Sequence, residues 1–162
     1  MILKARFLET LRSEGWHVRE MPMDRLPGAL RQLLGEHPRV TAAGTFATKA
    51  CRAAGLTPES QPQEDLPWGV VDATYGVAEP GSVAFQLGPE MPRWVLLVPQ
   101  RLLVLLEAHR LVPDLEHLWT LAREQPDASW LLLHGPSVTA DIEKVLVRGV
   151  HGPAELHLWW LR

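Results

Sequence analysis

The sequence predicts an α/β protein, with a mixed, largely parallel sheet flanked by helices. Three observations carry that prediction. Short strand-like segments alternate with amphipathic helical ones through residues 2–54, a β-α-β-α spacing that suits parallel strands. Four strand candidates crowd into residues 69–106, too close together for helical crossovers, which places antiparallel links in the middle of the sheet. The 162 residues, 46% of them hydrophobic, are enough to bury such a core in one domain spanning 1–162.

Each element has a local reason. Leu3, Phe7 and Leu11 recur every four positions, so residues 2–13 form an amphipathic helix that Gly15 breaks. Residues 16–21 alternate into a short strand. Asp24 is placed to cap a helix over residues 26–34, with Pro27 at its start and Gly35 at its end. A strand over residues 39–43 and a helix over 45–54, closed by Gly55, complete this half. The polar, proline-rich stretch TPESQPQEDLP, residues 57–67, reads as a surface connection. It is no domain boundary, because the 56 residues before it are too few for an independent core. Strands follow over 69–72, 82–87, 94–98 and 102–106, then a helix over 112–124 through Leu115, Leu118 and Leu121. The chain closes with a strand over 130–133, a helix over 139–148 and a strand over 155–161. Trp159 and Trp160 point to opposite faces of that last strand. Burying both requires either a sheet covered on both sides or a partner subunit, which makes a homo-oligomer one expectation.

Composition excludes several classes. With a net charge of −3 and no basic run, nucleic acid is not the expected partner. Arginine outnumbers lysine 13 to 3, but the chain also lacks asparagine, so the codon bias of a GC-rich genome accounts for the skew. No apolar run approaches the ~18 residues of a membrane span, and the charged N-terminus is no secretory signal. A cytoplasmic protein without a membrane partner is expected. The one cysteine, Cys51, rules out an intramolecular disulfide and a cluster held by this chain alone. It sits among alanines in a helix and reads as a small core residue. Among the histidines, His109, His117 and His134 are scattered. His157 shares a strand face with Glu155, Trp159 and Leu161. No spacing matches a compact ligand pair, so no metal site is expected.

Two segments carry candidate chemistry. In LLLHGPSVTADIEKVLVRG an apolar strand feeds a Gly-Pro-Ser loop whose Ser137 or Thr139 can cap the next helix. Free N–H groups there can hold an anion, with Gly135, Ser137 and Thr139 as the cradle. Asp141 and Glu143 suit the helix dipole but repel a phosphate unless a cation intervenes. A capped helix without a ligand has the same features. His151 is the best single histidine, because Gly152 and Pro153 hold it at an element end. In GVVDATYGVAEPGSVAF a strand delivers Asp72, and Glu79 sits at the turn made by Pro80, Gly81 and Ser82. A carboxylate there can act as general base or nucleophile if burial tunes its pKa; on these residues alone a solvated turn with an incidental acid is favoured, because isolated acids at turns are common.

Taken together, GVVDATYGVAEPGS, LVPDLEHLW and HGPSVTADIEKVLVRGVHGPAELH resemble the lactate-utilisation protein C (LutC) family, also called the LUD domain. The matching positions are Gly69, Ala73, Ala78, Glu79, Gly81 and Ser82, then Val112 to Leu115, and finally Gly135 to Ser137, Thr139 to Glu143, Gly149 to Pro153, Leu156 and His157. The last hundred or so residues carry the resemblance; the first sixty share only the order of elements. Pro80 and Val138 depart from the family's threonine and arginine, and Val138 removes a bidentate anion donor. The resemblance implies a fold of the NagB/RpiA/CoA-transferase kind. It also implies membership of a system oxidising L-lactate to pyruvate, with the iron-sulfur clusters in partner subunits and no cofactor in this chain. The expected pocket has Glu79, Asp141 and His151 as catalytic groups. Asp72, Gly81, Ser82, Gly135, Ser137, Thr139 and Glu143 would line it around a small anionic metabolite. The alternative reading is a stand-alone enzyme or sensor for such a metabolite.

Overall fold

The computed structural model describes residues 1–35, 39–135, 138–140, 146–148 and 152–162. Its first half follows the expected order: α1 (Ile2–Ser13), β1 (His17–Met21), α2 (Leu26–Leu34), β2 (Val40–Ala43) and α3 (Thr45–Ala53). The second half contains β3 (Trp68–Asp72), β4 (Tyr75–Glu79), β5 (Ser82–Leu87), α4 (Arg93–Leu97) and β6 (Arg101–Glu107). It continues with β7 (Leu111–Asp114), α5 (Leu115–Ala122), β8 (Ser129–Leu133), β9 (Val138–Ala140), β10 (Leu146–Arg148) and β11 (Glu155–Leu161).

A five-stranded sheet in the order β1-β11-β6-β3-β2 is parallel throughout. The antiparallel links do not interrupt it. They lie in a second sheet, β7-β4-β5-β8, where only β4 and β7 run parallel. Central strands buried on both faces explain the unbroken apolar runs of the sequence. On β6, Leu102, Val104 and Leu106 face a core shared with α1 and the second sheet, while Leu103 and Leu105 face the core under α2 and α3. On β11, Trp160 enters the first core and Trp159 the second, each only 3% exposed. Both tryptophans are therefore buried within one chain, and their burial needs no second subunit. A third, smaller cluster of Val77, Ala84, Val112 and Leu118 lies between the second sheet and α5.

Five local expectations are corrected. Residues 94–98, expected as a strand, belong largely to the helix α4, which follows Pro92 and buries Val95 and Leu96. A five-residue apolar run between two prolines has no periodicity to distinguish the two conformations. Strand β4 was hidden because its Gly76 and Ala78 have low strand propensity. The helix expected over 112–124 begins later. Pro113 keeps β7 extended, and Asp114 then caps α5 by accepting from His117 N at 3.0 Å. Asp24 does not cap α2; it lies in a short 3₁₀ turn, and the N-cap position is Arg25, without a side-chain hydrogen bond. Finally, of the helix expected over 139–148, the described ends form an antiparallel pair instead, with Ala140 opposite Leu146 and Val138 opposite Arg148, and residues 141–145 lie outside the described residues. The β-branched Val138, Thr139 and Val147 favour that conformation.

Candidate functional site

Parallel strands end together, and side chains after their carboxyl ends meet in a crevice. Here β3 ends at Asp72 and its neighbour β6 ends at Glu107. Beside them opens a cleft of about 790 Å³, lined among others by Lys49, Asp72, Thr74, Gln86, Glu107 and Arg110. A smaller cleft of about 360 Å³ shares Gly44, Thr45, Lys49 and Glu90 with it and adds Thr48 and Arg52.

Asp72 is the best-defined group of this site. Its carboxylate accepts hydrogen bonds from Phe46 N at 2.8 Å and Ala47 N at 2.9 Å, so it closes the amino end of α3 from across the sheet. Gly44 makes the approach feasible. Its φ of +96° belongs to glycine, and a Cβ there would run into the Asp72 side chain. Burial pushes the Asp72 carboxyl up to about 6 despite these two N–H donors, and the nearby Glu107 adds to the rise. Cys51, beneath it, is fully buried, and burial together with Asp72 pushes its thiol up to about 12. Such a thiol is a core residue, as its sequence context suggests, and no nucleophile.

The structure separates the sequence-derived candidates into two places. Among the described residues, Asp72 is the one candidate that lines the cleft. Glu79 ends β4, about 13 Å of strand away from the cleft end of that hairpin. Its side chain is 64% exposed and pairs with Arg6 of α1 at 3.1 Å. Gly81, at φ +89°, lets the turn pack on Thr10 of α1. Ser82 is fully buried, its hydroxyl without a hydrogen-bond partner among the described residues. Gly135 comes to this same end, because Leu133 of β8 is opposite Val83 of β5. The neighbouring His134 carbonyl accepts from the Trp16 indole N–H at 2.5 Å. Thus Gly135 and the Glu79–Ser82 turn lie at the same end of the second sheet, away from the cleft. Ser137, Asp141, Glu143 and His151 lie outside the described residues, and Thr139 is placed only as part of β9.

A further cluster sits at the opposite, amino end of the parallel sheet. Glu155 and His157 are two residues apart on β11, and His17 lies in register with His157 on β1. His157 Nε2 is 2.6 Å from Glu155 Oε1, and His17 Nε2 is 3.7 Å from the same oxygen. Arg101 Nε lies 3.4 Å from the other carboxylate oxygen. Burial would raise the Glu155 carboxyl, but His157, Arg101 and His17 outweigh it and hold it below the usual range. Burial pushes the His157 imidazole down, against the pull of Glu155. Sequence spacing showed the Glu155–His157 pair on one face; only the pairing of the first strand with the last brings His17 to it.

These features define an α/β protein with a ligand-sized crevice at the carboxyl ends of its parallel strands. The family model for the LUD domain matches residues 61–159, and the chain belongs to that family. It is 36% identical over 93 residues to the Escherichia coli protein YkgG, a match covering 54% of this chain and 40% of that protein. It is 35% identical over 101 residues to the Lactate utilization protein C of Halalkalibacterium halodurans, covering 59% of this chain and 43% of that one. The Bacillus pumilus protein of the same name is 33% identical over 96 residues, covering 56% and 40%. Each match therefore spans less than half of the relative. A crystal structure of a DUF162 family protein from Deinococcus radiodurans superposes with a TM-score of 0.72 over 99% of this chain and 97% of that one. At 17% identity that likeness establishes the shared fold. Among the described residues no helix is long and apolar enough to cross a membrane.

Proposed function

We propose that this chain is a LutC-type component of L-lactate utilisation, working in the cytoplasm, and that it takes a small anionic metabolite in the cleft beside Asp72. Two relatives are named Lactate utilization protein C, which supports the metabolic assignment. The observation that carries the site is Asp72 itself, a half-buried acid held by two N–H donors at the amino end of α3, its carboxyl pushed up to about 6, in an open cleft with Lys49 and Arg110. The two cations suit a carboxylate. The acid, near its pKa at physiological pH, can exchange a proton with a hydroxyl or keto oxygen. L-Lactate and pyruvate each place such an oxygen next to a carboxylate. Oxidation of the first to the second releases two electrons and two protons: Asp72 in its ionised form takes the hydroxyl proton, and the C2 proton and both electrons pass to partner subunits, where the iron-sulfur clusters belong because one cysteine is too few to hold a cluster alone.

The competing locus within the same reading is the end of the second sheet with Glu79, Gly81, Ser82 and Gly135, to which the sequence reading adds Ser137, Thr139, Asp141, Glu143 and His151. A second reading, a stand-alone enzyme or sensor for a small anionic metabolite, is favoured by an acid whose proton chemistry needs no partner. One experiment separates these readings. The tagged chain is purified anaerobically from its native cells, and co-eluting protein is examined by absorption spectroscopy and assayed for L-lactate oxidation. A brown, cluster-bearing partner whose activity depends on this chain supports the component reading. A colourless chain that elutes alone overturns it in favour of the second. Asp72→Asn and Glu79→Gln variants in the same assay show which locus the metabolite uses.

A further inference from the structure

We infer that the amino end of the parallel sheet is a binding site for one divalent transition-metal ion, zinc in its ligand chemistry, held by His17, Glu155 and His157. This site is independent of the cleft and of the lactate reading. Three potential ligand atoms, one from each residue, lie within 4.8 Å of one another. Two imidazoles and one carboxylate are a borderline-soft set that suits zinc or its first-row neighbours and not magnesium or calcium, which prefer oxygen alone.

The arrangement goes beyond three polar residues that happen to be close. Each contributes from a regular strand, and β1 and β11 are locked in parallel register, so the ligand positions are set by backbone hydrogen bonding. Both Nε2 atoms approach one oxygen, Glu155 Oε1, from neighbouring strands. The two imidazole rings stack with centroids 4.6 Å apart and planes 22° apart.

The surroundings look like an outer shell. Arg101 sits on the second oxygen of Glu155, at 3.4 Å, leaving Oε1 for monodentate ligation. Its guanidinium is in turn 5.5 Å over the Trp68 ring, and Trp68 also abuts His157, with ring centroids 5.0 Å apart. His157 is thereby fixed, with 13% of its side chain exposed, whereas His17 is 62% exposed and provides the way in. Three protein ligands leave a fourth tetrahedral position for water, the open form of a zinc site.

The test uses the full chain with its affinity tag removed and its metals stripped by chelator. Zinc alone is titrated in competition with a chromophoric chelator, and cobalt alone is followed by its visible absorption, whose intensity reports tetrahedral geometry. One ion per chain is expected, with affinity at least tenfold weaker in both His17→Gln and Glu155→Gln and unchanged in His109→Gln, a solvent-exposed control. His17 is exposed enough for its variant to fold, which a thermal melt checks, so a loss there is not a loss of structure. Absence of stoichiometric binding at micromolar zinc overturns the proposal. So does binding that persists unchanged in both His17→Gln and Glu155→Gln, since the ion then sits elsewhere.

Discussion

Replacing Asp72 by asparagine isolates the energetic consequence of burying an acid at the carboxyl end of the sheet. The carboxyl has a pKa of about 6 in the folded chain against an ordinary value of 3.8. Between those two values the folded state binds a proton that the unfolded state has released, so stability falls as pH rises through this window. At roughly 1.4 kcal/mol per pH unit, a rise of about two units is worth roughly 3 kcal/mol in total. About 2 kcal/mol of that falls between about pH 4.5 and about pH 7.5. Asparagine does not titrate, and every other group is common to both proteins. Denaturant unfolding of wild type and Asp72→Asn at the two pH values should therefore show the variant gaining about 2 kcal/mol relative to wild type at the higher pH. The absolute difference also contains the weakened cap on α3, and subtraction between pH values removes it. A pH-independent difference, or one of opposite sign, would refute the assignment of a raised pKa to Asp72 and with it the acid-base role in the cleft.

Three other consequences are open to measurement. Gly44→Ala should cost about 3 kcal/mol or more in denaturant unfolding, because alanine is strained at φ +96° and its methyl collides with Asp72. Trp159→Ala and Trp160→Ala should each cost about 3–5 kcal/mol in dilute protein, because each ring fills a separate core of one chain; a near-neutral result for either would show that its contacts come from elsewhere. The pKa of His117, held above its ordinary value by Asp114 through a 2.7 Å contact to Nδ1, should fall towards that value in Asp114→Ala when followed by NMR.

Much of the fold was legible because β3, β5, β6, β8 and β11 announce themselves by apolar runs and alternation, and their bounds lie within a residue of the sequence reading. The losses were local ambiguities. Gly76 and Ala78 hide β4, and a short apolar stretch between Pro92 and Pro99 looks the same as strand or helix. The site divides along a different line. Asp72 was visible because it ends the readable β3, and the Glu79–Ser82 turn because its Pro80 and Gly81 directly precede the readable β5. Which end of which sheet a residue reaches depends on strand order, and strand order is a product of distant pairings. Glu79 and Asp72 are seven residues apart in sequence, yet the β4–β5 hairpin carries Glu79 away to α1 while Asp72 stays at the cleft. Lys49, Glu107 and Arg110 were missed for the same reason, since they come from three elements that meet only around the carboxyl end of β3. Glu155 and His157 share a readable face. His17 joins them through the adjacency of the first and last strands, for which no local pattern exists.

That adjacency gives the molecule two chemically different ends on one set of strands. Strand β3 runs from Trp68, which walls the histidine cluster, to Asp72 in the cleft; β6 runs from Arg101 at Glu155 to Glu107 in the cleft. Four residue steps of strand separate the ends of β3, about 13 Å. Groups that far apart with no shared partner combine additively to within about 0.5 kcal/mol. The strands between them are buried on both faces and close-packed, so neither end can shift without disturbing both cores. Zinc affinity should then be the same in wild type and Asp72→Asn, and the pH-dependent stability difference of Asp72→Asn should be the same in a His17→Gln background. If instead the two substitutions couple by more than about 1 kcal/mol, the sheet transmits between its ends. The cleft and the histidine cluster would then be two parts of one device.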